Sequence, residues 1–204
     1  MNKKTTTPPV RGPSEHTIRD QVVAAATEYF GYFGYEKTTV SDLAKAIGFS
    51  KAYIYKFFDS KQAIGEQICS NCLMSIMDIV NAAVANAPTA SEKIRQLFSV
   101  LTQSGSDLFF HDRKLYNIAA VAARDKWPSV ALYEARLMKL IESILIEGRD
   151  CGEFEQQTPL DEATKAVFLV MEPFISPVQL QYNLDTAESA AALLSSLILR
   201  SLAP

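Results

Sequence analysis

The sequence predicts an all-α protein. Apolar residues recur at three- and four-residue spacing through most of the chain, and cap signals and glycines punctuate those runs at helix-like intervals. No segment shows the apolar–polar alternation and hairpin turn of paired strands. The expected architecture is an N-terminal three-helix unit followed by a C-terminal helical bundle, about nine helices in all.

The first helix carries Ile18, Val22, Ala25, Ala26, Tyr29, Phe30 and Phe33 on one face and stops at Gly34, as a left-handed C-cap allows. Thr39 and Asp42 have capping-box spacing ahead of a short helix that buries Leu43, Ala44 and Ile47 and ends at Gly48. Ser50 is placed to N-cap a third helix, Lys51 to Phe58, in which Ile54 and Phe58 face the core one turn apart. A long connecting helix starts near Ser60, with Ile64, Ile68, Cys72, Ile76, Val80 and Val84 a turn apart, and stops before Pro88.

Thr89 and Glu92 form another capping-box pair, opening a helix through Ile94, Leu97, Phe98 and Leu101 towards Phe109. A short helix over Leu115 to Ala123 comes next. Ser129 to Glu147 then shows Tyr133, Leu137, Leu140, Ile141, Ile144 and Leu145 before Gly148 and Gly152 break it. Thr158-Pro159 opens a helix with proline at its first position, and the last helix, Asp185 to Leu202, carries Ala187, Ala191, Leu194, Leu197 and Ile198 on one side.

The chain has 204 residues, 48% hydrophobic and 21% charged, enough to bury a core and too apolar for disorder. Three cysteines without framework spacing fit a reducing compartment, and a cytoplasmic location is expected. Residues 1–14 read as a flexible basic arm with Lys3, Lys4 and Arg11 and no apolar run behind the charges. The arm either enters a DNA minor groove or stays in solvent. The apolar stretch Ala166 to Val178 is interrupted by Glu172, Pro173 and Pro177, so no membrane segment is expected.

The net charge of -3 hides an asymmetry. Residues 1–61 hold nine Lys and Arg against six Asp and Glu, a balance of +3, whereas residues 62–204 balance to -6. A basic head on an acidic body suits a DNA-binding module joined to one that is not. The two short helices around Gly48-Phe49-Ser50 have helix-turn-helix dimensions, and the second presents Lys51, Tyr53, Tyr55 and Lys56 within about two turns.

The run from Gly34 to Lys61, GYEKTTVSDLAKAIGFSKAYIYKFFDSK, resembles the signature of the tetracycline-repressor family nearly position for position. The resemblance implies a transcription regulator with a helix-turn-helix at 15–61 that binds double-stranded operator DNA. It also implies a body at 62–204 that encloses an effector and forms a homodimer through the last two helices, about 158–178 and 185–202. It assigns DNA contacts to Thr39, to Ser50, Lys51, Ala52 and Tyr53, and to Tyr55, Lys56 and Lys61.

Thr39 would offer its hydroxyl and a free backbone N–H to phosphate, and Lys56 and Lys61 their charge. Tyr53 stands where the family more often has a small residue followed by threonine, and is the candidate base reader, through a thymine methyl or else a phosphate. Phe57 and Phe58 are read as core packing. The segment Gly148 to Phe154 resembles the family's break before the first dimer helix.

Phe98, Leu101, Phe109, Tyr116, Trp127, Tyr133, Phe168, Met171 and Phe174 are the candidate cavity residues, with few charges among them, which points to a small apolar or aromatic effector. The expected mechanism is repression relieved by effector, with activation or redox sensing through Cys69 and Cys72 as alternatives and a helical adaptor without DNA as the alternative class. With two histidines, no Glu-x-x-His pair, no Gly-rich phosphate loop and no G-x-S-x-G elbow, an enzyme is not expected, nor a cofactor or metal.

Overall fold

The computed structural model of the chain describes residues 15–204, with side chains from Thr17 onward. The basic arm with Lys3, Lys4 and Arg11, and the His16 side chain, lie outside the described residues. Every regular element among the described residues is a helix, ten in number rather than nine.

Helix α1 (Glu15–Phe33) buries Ile18, Val22, Ala26 and Phe30 at four-residue spacing and ends at Gly34, whose φ is +84° and whose N–H closes on Phe30 O at 2.8 Å. Phe33, expected on the same face, lies exposed, because three residues carry it about 60° round the helix from Phe30. Helix α2 (Val40–Ala46) opens on a complete capping box and ends in a Schellman turn, with Gly48 at φ +72° and Phe49 N–H on Ala44 O at 2.9 Å.

Helix α3 (Lys51–Ile54) is shorter than the Lys51–Phe58 span expected. Ser50 caps it, but from Tyr55 the chain tightens into turns, with Lys56 N–H on Tyr53 O and Phe57 N–H on Ile54 O. Those turns bring Phe58 back into the core beside Leu43 and Ile54, and Arg19 fixes them from α1, donating to Phe57 O and stacking 4.4 Å over the Phe58 ring.

Helix α4 (Lys61–Ala85) is capped by Ser60 and packs on α1, on α5 (Ala90–His111), on α6 (Arg113–Arg124) and on α7 (Pro128–Asp150). By length and composition alone it is apolar enough to cross a bilayer, a feature not expected from the sequence, and it buries Ile64, Ile68, Cys69, Met77, Val80 and Val84 against those partners. Thr89 caps α5 through the Glu92 N–H, which is one half of the expected box; Glu153 supplies the rest, its carboxylate accepting from Ala90 and Ser91 N–H at 3.1 and 2.9 Å. Helix α7 starts with proline at its first position after Trp127 and runs through Gly148, where a Cβ would strike the Phe154 ring.

Helix α8 (Leu160–Ile175) begins one residue after Pro159, so proline is its N-cap rather than its first helical residue. The short α9 (Pro177–Leu180) is the tenth, unforeseen helix. In α10 (Ala187–Ser201) the core face is Ala187, Ala191, Ser195 and Ile198; Leu197, one residue or about 100° round from Ile198, faces outward.

Two principal cores result. One gathers Val80, Ile94, Leu97, Leu137, Ile141, Ile144, Met171 and Ile198 in the body. The other, under the head, joins Val22, Phe30, Leu43, Ile54 and Phe58 to Ile64 and Ile68 of α4, Ile118 and Ala122 of α6, and Trp127.

Candidate nucleic-acid interface and effector cavity

Ser50, Lys51, Ala52, Tyr55 and Lys56 project from the α3 turn into solvent. The Lys51 ammonium lies 5.7 Å from the Tyr55 ring and that of Lys56 lies 5.6 Å from Tyr53, so the two cations fan over two aromatic faces. Tyr53 is half-buried, its ring edge-on between Phe49 and Phe57 at 5.1 and 5.3 Å. It therefore presents only part of its surface outward. Phe57 is likewise half-buried and Phe58 fully buried.

Two expected contacts are differently employed. Thr39 has no free N–H: it donates from N to Asp42 Oδ2 at 3.0 Å, its hydroxyl donates to the same oxygen at 2.6 Å, and the hydroxyl accepts from Asp42 N at 3.2 Å. These bonds, with Lys45 nearby, hold the Asp42 carboxyl below its usual range. Lys61 points inward. Its ammonium donates to Tyr35 O at 3.0 Å, Thr38 O at 3.1 Å and Glu36 O at 3.5 Å and lies 4.4 Å from the Tyr35 ring centre, using its donors to fasten the turn that leads into α2.

A cavity of about 470 Å³ opens in the body between α4, α5, α6, α7, α8 and α9. Of the expected residues, Leu101, Tyr116, Trp127, Tyr133 and Phe168 line it together. Phe98 and Met171 are packed into the body core instead, and Phe109 packs edge-on against Tyr116 at 4.8 Å beside Phe174 in a third small cluster. Leu73, Ile76, Glu134, Glu172 and Lys126 also line the cavity and were not foreseen. An apolar criterion passes over the three charged ones, although Glu172 does interrupt an apolar run.

Tyr116 is anchored across the cavity's end by donating to Pro177 O at 2.6 Å. Lys126 adopts a left-handed φ of +53° in the α6–α7 turn, which sets the next residue, Trp127, into the wall.

Trp127 belongs to both halves of the molecule. Its ring lines the cavity, closes on Gly65 of α4 so tightly that a Cβ there would lie 2.6 Å from Cη2, and stands edge-on to Tyr35 at 5.1 Å. Burial, then Asp125 and Glu66, push the Tyr35 phenol up to about 12. The Glu66 carboxylate of α4 accepts from Ser129 N–H at the start of α7, and Arg124 pairs with Glu36 in the Tyr35 turn.

Cys69 and Cys72 show none of the marks of reactive thiols. Burial raises both, Cys72 to about 11, so they stay protonated. The His111 Nδ1 lies 3.2 Å from Asp107 O one turn earlier.

On the outer face, Leu169 and Val170 of α8 and Leu193 and Leu197 of α10 stay open, Leu193 being 70% exposed and Leu197 55%. Helices α8 and α10 pack on each other.

The profile described as bacterial regulatory proteins of the tetR family matches residues 22–68, and that of the tetracyclin repressor-like C-terminal domain matches residues 90–193, half the chain by itself. The chain belongs to the tetracycline-repressor family. It is a transcription regulator and not an enzyme, as family members are.

Among relatives of this family, the biofilm operon icaADBC negative transcriptional regulator IcaR of Staphylococcus aureus is 35% identical over 63 residues, which span 31% of this chain and only 34% of IcaR. Among solved structures, the fatty acid degradation regulator FadR from Bacillus halodurans superposes with TM-score 0.69 at 20% identity, covering 94% of this chain and 97% of its own. FadR from Bacillus subtilis in complex with stearoyl-CoA gives 0.64 at 20% identity over 89% and 95%. A Rhodococcus protein of unknown function gives 0.71 at 18% over 97% and 100%. At these identities the structural likeness is one of fold.

Proposed function

We propose that this regulator is a cytoplasmic, ligand-responsive repressor that binds a palindromic operator as a homodimer and leaves it when a small molecule occupies the body cavity. Residues 15–61 are the DNA-binding head and 62–204 the effector and dimerisation body. Lys51 and Lys56 neutralise phosphates, Tyr55 offers a hydroxyl, and Ala52 with the outer edge of Tyr53 meets bases. Thr39 and Lys61 act one step back, holding α2 and its entry turn in place.

Leu169, Val170, Leu193 and Leu197 supply an apolar stripe over two packed helices, suited to an isologous four-helix interface. Such a dimer sets the two reading turns about 34 Å apart, one turn of DNA. Support for repression comes from the negative regulator IcaR, matched over 63 residues, and for a small-molecule effector from the stearoyl-CoA complex of a protein of the same fold.

The observation that carries the ligand response is the shared Trp127. An occupant that displaces this ring from the cavity wall shifts its contacts with Gly65 and Tyr35, and Tyr35 belongs to the turn that Lys61 fastens to the start of α4. The head's two-state choice is thereby biased from the cavity.

The test is selection of genomic fragments by the purified protein, followed by fluorescence anisotropy across a salt series. Enrichment of one palindromic site, bound by a dimer with steep salt dependence, is expected. If no fragment is enriched even after unfolding and refolding to strip a retained ligand, the reading is wrong.

A further inference from the structure

The cavity is apolar in its walls but acidic in its charge. Glu134 comes from α7 and Glu172 from α8, and both line the same space. Neither makes an ion pair with a lysine or arginine among the described residues; the nearest recorded partner of Glu172 is the Gln179 amide at 3.5 Å. Lys126 is the one lysine or arginine lining this cavity among the described residues. Burial first, and then the neighbouring Glu172, raise the Glu134 carboxyl above its usual range, so the two acids feel each other although Glu134 keeps an exposed face and Glu172 is half-buried.

Around them stand the rings of Tyr116, Trp127, Tyr133 and Phe168. Carboxylates beside aromatic faces are the chemistry that recognises an organic cation: the ring quadrupoles attract the positive centre and the carboxylates neutralise it. A cation placed there also removes the repulsion between the two acids, so its binding is favoured over that of a neutral molecule of equal shape.

We propose that the effector is a compact amphiphilic amine, with an aromatic or alkyl body against the rings and one cationic nitrogen held by Glu134 and Glu172. This deepens the reading of the cavity as the effector site and rests on it. A volume of about 470 Å³ falls within the range of sites for small organic ligands. The same charges oppose a coenzyme A thioester of the kind bound by the Bacillus subtilis protein, since one lysine against two carboxylates offers no seat for several phosphate charges.

Trp127 is the single tryptophan of the chain, so its emission reports the cavity directly. The experiment titrates the full-length dimer with 4-phenylbutylamine, 4-phenylbutanol and 4-phenylbutyrate, which share a body and differ in head charge. The amine is expected to bind about tenfold more tightly than the alcohol, and the carboxylate more weakly than either. In Glu134→Gln/Glu172→Gln that preference collapses, while the alcohol binds as it does to the unaltered protein, showing the cavity intact.

Equal binding of all three, tighter binding of the carboxylate, or an amine preference that survives the double substitution would overturn the cationic effector while leaving the cavity as the effector site. Failure of all three to alter Trp127 emission would overturn both.

Discussion

The head and the body of this regulator carry their function in opposite ways. In the head, the proposed function lies on outward side chains held by local devices: Ser50 caps α3 three residues from Tyr53, Thr39 and Asp42 close α2 over the same distance, and Lys51, Tyr55 and Lys56 point to solvent. In the body, the proposed function lies on side chains that six helices bring to one cavity from Cys69 to Leu180. Outward residues can change without unsettling the fold, whereas inward ones such as Leu101 and Trp127 are core as well as lining.

Removing Lys51 and Lys56 together should break the head without touching the body. Each charge-assisted phosphate contact is worth about 1.4 kcal/mol and a dimer loses four of them, so Lys51→Ala/Lys56→Ala is expected to weaken operator binding about ten-thousandfold. The log–log salt slope should fall by about 4, one for each lysine lost from the dimer, while the melting temperature stays put, as read by anisotropy and calorimetry. Lys61→Met should do the reverse. It frees the carbonyls of Tyr35, Glu36 and Thr38 and is expected to cost about 2 kcal/mol of stability, with the salt slope little altered.

The contrast between Lys51 and Lys61 shows what was legible beforehand. Capping signals at Thr39 and Ser50, the stop at Gly48 and the outward cations all depend on neighbours within four residues, and the sequence displays them directly. The inward turn of Lys61 depends on Tyr35, 26 residues away, and can be read only once the head is folded. Helix α3 was overestimated because an apolar residue one turn on, Phe58, reaches the core equally well through tight turns. In the body, periodicity finds helices but not which face meets a cavity: Leu101 lines it and Phe98, one turn earlier on α5, is core. Glu134 and Glu172 carry no apolar signal, and only the fold brings their two helices to the same cavity.

Gly65 tests where the two regions join. A Cβ there would lie 2.6 and 2.8 Å from Trp127 ring atoms, so Gly65→Ala must move the indole. Overpacking, partly offset by the better helix propensity of alanine, leaves a loss of about 1 kcal/mol, a fall of a few degrees in melting temperature. The Trp127 emission should shift with it.

The smallest effect belongs wholly to the body. The Ala90 and Ser91 N–H groups hold the Glu153 carboxyl below its usual range. The stability it contributes is therefore present above the unfolded carboxylate value of about 4.3 and is lost as pH falls below it. Glu153→Gln should cost a few tenths of a kcal/mol at neutral pH and soften the acid-side decline, measured as melting temperature against pH.

The central claim is that cavity and head form one coupled unit through Trp127, and coupling between two binding sites is reciprocal. The most direct measurement is the emission of Trp127 while the selected operator is added to the ligand-free dimer. A spectral change that saturates at one dimer per operator, in step with the anisotropy of labelled DNA, is the predicted result. An emission spectrum that stays fixed while anisotropy shows the operator fully bound would contradict it.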